Sequence, residues 1–120
     1  MGKTVLVIDA DAGIRRAFAR ILQKSGYTTD VAQDRKEALQ KAVTNRYDVV
    51  LVDVSLPDGN GLELLDQMHR INQEVVTIVI TGDHIAFDKN THVDASFLKP
   101  VKPQELLAVI EQKTAQKHIN

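Results

Sequence analysis

The chain of 120 residues contains no cysteine. This absence excludes disulfide bonds, thiolate catalysis and cysteine-ligated metals, and it fits a reducing compartment. The sequence also has no apolar run near the roughly 18 residues that a membrane span needs. The segment of residues 1–8 is too short to form a signal peptide, because the charged Asp9 follows it directly. We therefore expect a soluble, cytoplasmic protein.

The chain also has no large excess of positive or negative charge, since its formal net charge is only −1 at pH 7. The overall charge thus gives no reason to expect direct binding to nucleic acid or to an anionic membrane surface. We find no internal repeat, low-complexity segment or linker. With 43% hydrophobic residues, the sequence predicts a single domain over residues 1–120 with its own core.

Strand-like and helix-like segments alternate along the chain. Strands are predicted at 4–8, 27–31, 48–52, 75–80 and 95–98, and helices at 13–24, 34–43, 61–71 and from 103 onward. Segment 83–94 contains poor helix formers, so a short or frayed fourth helix is expected there. Alternating elements with continuously apolar strands predict an α/β protein, a three-layer doubly wound parallel sheet with helices on both faces.

Four apolar runs end in a polar or reactive residue, namely Asp9, Asp53, Thr81 and Lys99. In a parallel sheet these endings lie on one edge, where ligands bind. Two neighbouring carboxylates favour a hard divalent cation such as Mg²⁺, and a lysine and a hydroxyl suit the oxygens of a phosphoryl group. Because an aspartate can form an acyl phosphate, the pattern predicts phosphoryl transfer to or from an aspartate.

These residues belong to longer motifs. The motifs are the acidic pair Asp9/Asp11, Asp53-x-x-Leu56-Pro57-x-x-x-Gly61, Thr81-Gly82 and Lys99-Pro100. With them the chain resembles, over essentially its whole length, the response regulator receiver family of two-component signalling, of the chemotaxis-regulator type. The resemblance implies a flavodoxin-like fold with strand order 2-1-3-4-5 and a signalling module, not an enzyme.

The resemblance also implies a role for each site residue. Asp53 is expected to be the phosphoacceptor, and Thr81 and Lys99 are expected to bind the phosphoryl group and switch with it. Magnesium is expected to be held by Asp9, Asp53 and the backbone carbonyl of Ser55. The donor is expected to be a sensor histidine kinase or a histidine phosphotransfer protein, and an output domain or a protein partner is expected to read the switch.

Two further expectations come from the same resemblance. Ser55 and Asp83 match variable positions that tune the lifetime of the phosphoryl group. The peptide bond before Pro100 is usually cis in the family, which would aim Lys99.

The acidic cluster departs from the family pattern, because Ala10 stands where a second acid usually binds the metal directly. Asp11 matches a third acidic position that normally points away from the metal, and we expect it to cap the following helix. One lost carboxylate removes an attraction on the order of 4 kcal/mol per unit of cation charge at ~4 Å and a dielectric of ~20. We therefore expect weakened magnesium binding.

The signalling face also departs from the pattern, because the stretch between Thr81 and Lys99 is several residues shorter than usual. Ser96 holds the place of the usual switch aromatic, and Phe97 follows it. Either the strand is shifted locally by one residue or the aromatic switch is absent.

Two alternative functions remain open. A degenerate receiver would keep the fold as a phosphorylation-independent interaction or dimerisation module, as Ala10 suggests. A small phosphatase of the haloacid-dehalogenase type would use Asp9 as nucleophile and Asp11 as acid/base. In such an enzyme the second acidic site should follow the lysine motif, whereas Asp53 precedes even Thr81. The four histidines, His69, His84, His92 and His118, have no metal-ligand spacing and are expected on the surface.

Overall fold

The computed structural model describes residues 3–82 and 92–117. Within these ranges five parallel strands form one sheet in the order β2-β1-β3-β4-β5. The strands are β1 (Thr4–Ile8), β2 (Thr28–Ala32), β3 (Val49–Asp53), β4 (Val76–Thr81) and β5 (Ala95–Leu98), and the helices are α1 (Ala12–Lys24), α2 (Arg35–Thr44), α3 (Gly61–Ile71) and α4 (Pro103–Lys117). The predicted doubly wound architecture and strand order are confirmed.

Helices cover both faces of the sheet, and successive side chains of its strands point to opposite faces. The residues of one face pack with α1 and α4, and those of the other face pack with α2 and α3. On β1, for example, Val5 and Val7 belong to the first cluster, and Leu6 and Ile8 belong to the second. All four are at most 1% exposed, which explains why this inner strand is apolar on both faces, whereas the edge strands β2 and β5 are only partly buried.

Side chains cap the helices close to the predicted positions. Asp34 accepts a hydrogen bond from the Glu37 N–H at 2.8 Å, as the sequence predicts. The Glu37 carboxylate, however, accepts from the Gln33 N–H at 3.2 Å, one residue earlier than a standard capping box requires. Predicted and observed boundaries differ by about one residue, as for the second strand, which begins at Thr28.

The short fourth helix is expected in segment 83–94. Residues 83–91 of that segment, with Asp83 and His84, lie outside the described residues, and so does His118. Of the four helices described, none combines the length and apolar character required to cross a bilayer.

His69 and His92 meet near the amino end of β5, with ring centroids 4.2 Å apart. His69 is half-buried on α3, so the expectation of a surface position is wrong for this residue, whereas His92 is exposed. Burial lowers the pKa of His69, and the charges of His92 and Lys117 lower it further against the opposing effect of Asp94 and Asp66. In the described ranges no three acidic, cysteine or histidine side chains are grouped to hold a metal ion.

The native pKa of His69 lies below its usual value of about 6.5. The unfolded chain therefore binds more protons than the native protein as the pH falls through this range, and the free energy of unfolding should decrease. We expect His69→Gln to reduce this loss between pH 7.5 and pH 5, measured by urea unfolding at several pH values. An identical pH dependence in the variant and the wild type would contradict the assignment.

Candidate functional site

The four predicted polar residues lie at the carboxyl edge of the sheet. Asp9 continues β1, since its N–H donates to the Ala32 carbonyl of β2 at 3.1 Å. Asp53 is the last residue of β3, and Thr81 is the buried last residue of β4. Lys99 continues β5, because its N–H donates to the Thr81 carbonyl at 2.8 Å. The strand order brings these endings together.

The Lys99 ammonium bridges two carboxylates. Its Nζ lies 3.2 Å from Asp53 Oδ2 and 3.5 Å from Asp9 Oδ2. The side chains are 28% exposed for Lys99, 14% for Asp53 and 5% for Asp9. The remaining oxygens accept backbone hydrogen bonds, Asp9 Oδ1 from the Asp11 N–H at 2.9 Å and Asp53 Oδ1 from the Ser55 N–H at 3.0 Å. Of these carboxylates, Asp53 is the one more open to an incoming group.

Burial sets the electrostatics of the site. Burial raises the pKa of the Asp9 carboxyl, as does the charge of Asp53, and together they outweigh the Asp11 N–H and the Lys99 charge, which lower it. Burial alone would lower the pKa of Lys99, but hydrogen bonding to Asp53 and the charges of both carboxylates raise it overall. Lys99 therefore holds its proton more strongly than a free lysine does, and the ionised form of Asp9 lowers the free energy of unfolding.

The chain turns sharply after Asp53. A two-residue ladder pairs Ser55–Leu56 with Gly59–Asn60, and the Gly61 N–H donates to the Val54 carbonyl at 2.9 Å. A Cβ at Gly61 would overlap the Asp53 carbonyl oxygen. Glycine at the first position of α3 thus allows this helix to begin directly against the end of β3, which fixes the backbone on both sides of Asp53.

The turn after β1 lacks one of the acidic residues that are usual in the family, because Ala10 lies between Asp9 and Asp11. Ala10 is exposed, and the Asp11 carboxylate caps α1 by accepting from the Ile14 N–H at 3.0 Å. Arg15 Nη1 donates to the carbonyl oxygens of Asp9 at 2.6 Å and of Ala10 at 3.0 Å. The sequence gives no signal for this role of Arg15, since arginine binding to nearby carbonyls has no characteristic spacing.

The register of β5 is continuous, with Phe97 opposite Ile80 and no inserted residue. Ser96 is exposed and Phe97 is half-buried in the core cluster on the α1 and α4 side. The pairing therefore contains no bulge, and serine stands three residues before Lys99. The Lys99–Pro100 peptide bond is cis, as expected.

The donor chemistry at this edge fits Mg²⁺. The two carboxylates at this edge offer hard oxygen ligands, and Mg²⁺ in proteins often has one or two carboxylates, with waters and phosphate oxygens completing its octahedron. Asp9 and Asp53 are the carboxylates that would hold it. Neither Ala10 nor the cap residue Asp11 offers a third carboxylate here.

Residues 5–111 match the family profile of the response regulator receiver domain. The chain belongs to this family. This receiver domain is 34% identical over 110 residues to response regulator ArlR of Staphylococcus saprophyticus, covering 88% of this chain and 50% of that protein. It is 32% identical over 116 residues to transcriptional regulatory protein DltR of Streptococcus agalactiae, covering 93% and 52%. The chain spans about half the length of these relatives.

Solved receiver structures agree with the fold along almost the whole chain. A CheY-like receiver domain from Methanospirillum hungatei superposes with a TM-score of 0.93 at 31% identity, covering 98% of this receiver domain and 97% of that one. Chemotaxis response regulator CheY4 of Vibrio cholerae gives 0.84 at 27% identity, covering 94% and 99%. Receiver domains are signalling modules of two-component systems that typically bind Mg²⁺ at their phosphorylation site.

Because the Asp9 carboxylate is buried beside a second negative charge, Asp9→Asn should raise the free energy of unfolding at pH 7 by about 1 kcal/mol. The amide keeps an oxygen that can accept from the Asp11 N–H. Urea unfolding without Mg²⁺ measures the change. Asp11→Asn is the matched control, since it removes the same charge two residues away and leaves an equally good helix cap. Equal changes in the two variants would contradict the explanation.

Proposed function

We propose that this chain is a phosphoacceptor receiver in which Asp53 accepts a phosphoryl group from a histidine kinase or a histidine phosphotransfer protein. The observation that carries the proposal is the placement of a partly exposed Asp53 carboxylate 3.2 Å from the Lys99 ammonium at the carboxyl edge of the sheet. A phosphoryl group on Asp53 adds roughly two negative charges beside a cation that is already in position.

In the proposed reaction a carboxylate oxygen of Asp53 attacks the phosphorus of a phosphohistidine. A P–O bond forms, the P–N bond breaks, and the imidazole nitrogen leaves with the bonding pair. The Lys99 ammonium stabilises negative charge on the transferred group. Thr81, at the end of the neighbouring strand, would bind a phosphoryl oxygen and carry the change toward β5, where an output domain or protein partner would read it.

Magnesium, when bound, would neutralise charge on the phosphoryl oxygens, and Asp9, Asp53 and the Ser55 carbonyl would hold it. We propose that this binding is weak, because Ala10 supplies no carboxylate and Asp11 is committed to α1. Ser55, exposed beside Asp53, would tune the access of water to the phosphoryl group. A cytoplasmic location, typical of receivers, belongs to the same proposal.

The exposed Ala10 also favours a second candidate function. A degenerate receiver would keep the charge-paired edge as a structural element and act through phosphorylation-independent contacts or dimerisation. The phosphatase alternative has no comparable support, because the Asp11 carboxylate caps α1 and so is not available as an acid/base partner of Asp9.

Incubation with acetyl phosphate and Mg²⁺ tests the proposal directly. We expect the wild-type protein to gain the mass of one phosphoryl group by intact-mass spectrometry, because Asp53 is the more exposed of the two carboxylates of the site. Asp53→Asn is the control and should gain none. A wild-type protein that stays unmodified at high Mg²⁺ concentration would favour the degenerate receiver, and modification of the Asp53→Asn variant would place the acceptor elsewhere.

Restoring the missing acid tests the explanation of weak metal binding. We expect Ala10→Asp to strengthen Mg²⁺ binding by about tenfold, because a third hard ligand joins two carboxylates. The affinity can be measured by NMR titration of backbone amides. Ala12→Asp adds the same charge on the exposed first turn of α1 and should leave the affinity nearly unchanged. Equal gains in both variants would indicate a general charge effect.

A further inference from the structure

The hairpin after Asp53 consists of Ser55–Leu56 paired with Gly59–Asn60, and its tip is attached to α2. Asp58 Oδ1 accepts from the Arg35 N–H at 2.8 Å, and Asp58 Oδ2 accepts from the Lys36 N–H at 3.0 Å. These donors are free amides of the first turn of α2, where a carboxylate is also favoured by the helix dipole. One residue of the loop therefore binds α2 with both oxygens across more than 20 positions of sequence.

The Arg35 side chain strengthens this attachment. It crosses Gly59, where a Cβ would overlap the guanidinium, and reaches α3. There its Nη2 donates to Gln67 Oε1 at 3.3 Å, and its Nη1 lies 3.6 Å from Glu63 Oε2. The hairpin tip is thus held between the start of α2 and the first turns of α3.

The attached hairpin connects directly to the site. Ser55 pairs with Asn60 and Leu56 pairs with Gly59, so the two arms on either side of the tip move together. The Ser55 N–H donates to Asp53 Oδ1 at 3.0 Å. A shift of the tip would therefore change the position of the Ser55 backbone relative to the Asp53 carboxylate.

We propose that Asp58 is a positioning residue for the phosphorylation site. By binding the first turn of α2 it fixes the hairpin, and through the hairpin it sets the Ser55 backbone against Asp53. The inference rests on the proposed function, since it concerns the affinity of that site for a phosphoryl group and Mg²⁺.

The helix supplies a matched control. Asp34 also caps α2, through the Glu37 N–H at 2.8 Å. It lies on the chain just before the helix, and its hydrogen bonds go to amides of α2 and not to the hairpin. Asp34→Ala and Asp58→Ala each remove one carboxylate from the same helix terminus. Urea unfolding establishes that both variants are folded and by how much each is destabilised.

The test measures the affinity for beryllofluoride with Mg²⁺ by NMR titration. We expect Asp58→Ala to bind about tenfold more weakly than wild type, as is typical when a supporting residue behind a ligand is lost. Asp34→Ala should bind as the wild type does. Asp58→Asn keeps one acceptor oxygen and should give an intermediate affinity. Equal affinities in Asp58→Ala and Asp34→Ala would overturn the proposal.

Hydrogen exchange of the Ser55 and Gly61 amides, measured without any ligand, separates this inference from the proposed function. We expect faster exchange of both amides in Asp58→Ala than in Asp34→Ala. If the wild-type protein fails to bind beryllofluoride, the proposed function fails, and the exchange rates alone decide whether Asp58 holds the hairpin. Unchanged exchange in Asp58→Ala overturns the inference, and faster exchange with unchanged affinity reduces Asp58 to a structural role.

Discussion

The central sheet buries both of its faces, and this constraint determines where polar chemistry can occur. Side chains along the inner strands β1 and β3 are apolar on either side, as Val5 and Leu6 show on neighbouring positions of β1. A charged side chain can therefore follow a strand only where the strand leaves the core. Asp9 and Asp53 occupy such positions, and the parallel arrangement places them on the same edge.

Two carboxylates at one edge need a cation, and Lys99 provides it from the far side of β4. The lysine is partly buried, so solvent screens its attraction less than it would screen a surface ion pair. Removing the ammonium alone would leave two unpaired carboxylates in a partly dry site, whereas removing the charge of Asp9 would leave the single ion pair of Lys99 with Asp53. The three residues thus form one electrostatic unit, which links β1, β3 and β5 and keeps the reactive group of Asp53 in place.

The sequence predicts those parts of the structure that depend on local pattern. Strand ends, the cap at Asp34 and the converging residues follow from hydrophobic periodicity and from the geometry of parallel sheets. Contacts between distant segments leave no such pattern. Asp58 binds an amide 23 residues away, His69 meets His92 through the packing of α3, and both depend on how elements are positioned after folding.

Ala10 matters most after phosphoryl transfer has taken place. In the free protein the Lys99 ammonium interacts with both Asp9 and Asp53. A phosphoryl group of roughly two negative charges would compete for the same ammonium. Under the proposed function, the missing acid at position 10 would weaken binding of the Mg²⁺ that neutralises part of this charge. Under the proposed function the hairpin geometry would then gain importance, because the Ser55 carbonyl would be one of few ligands, and we propose that its position depends on the attachment of Asp58 to α2.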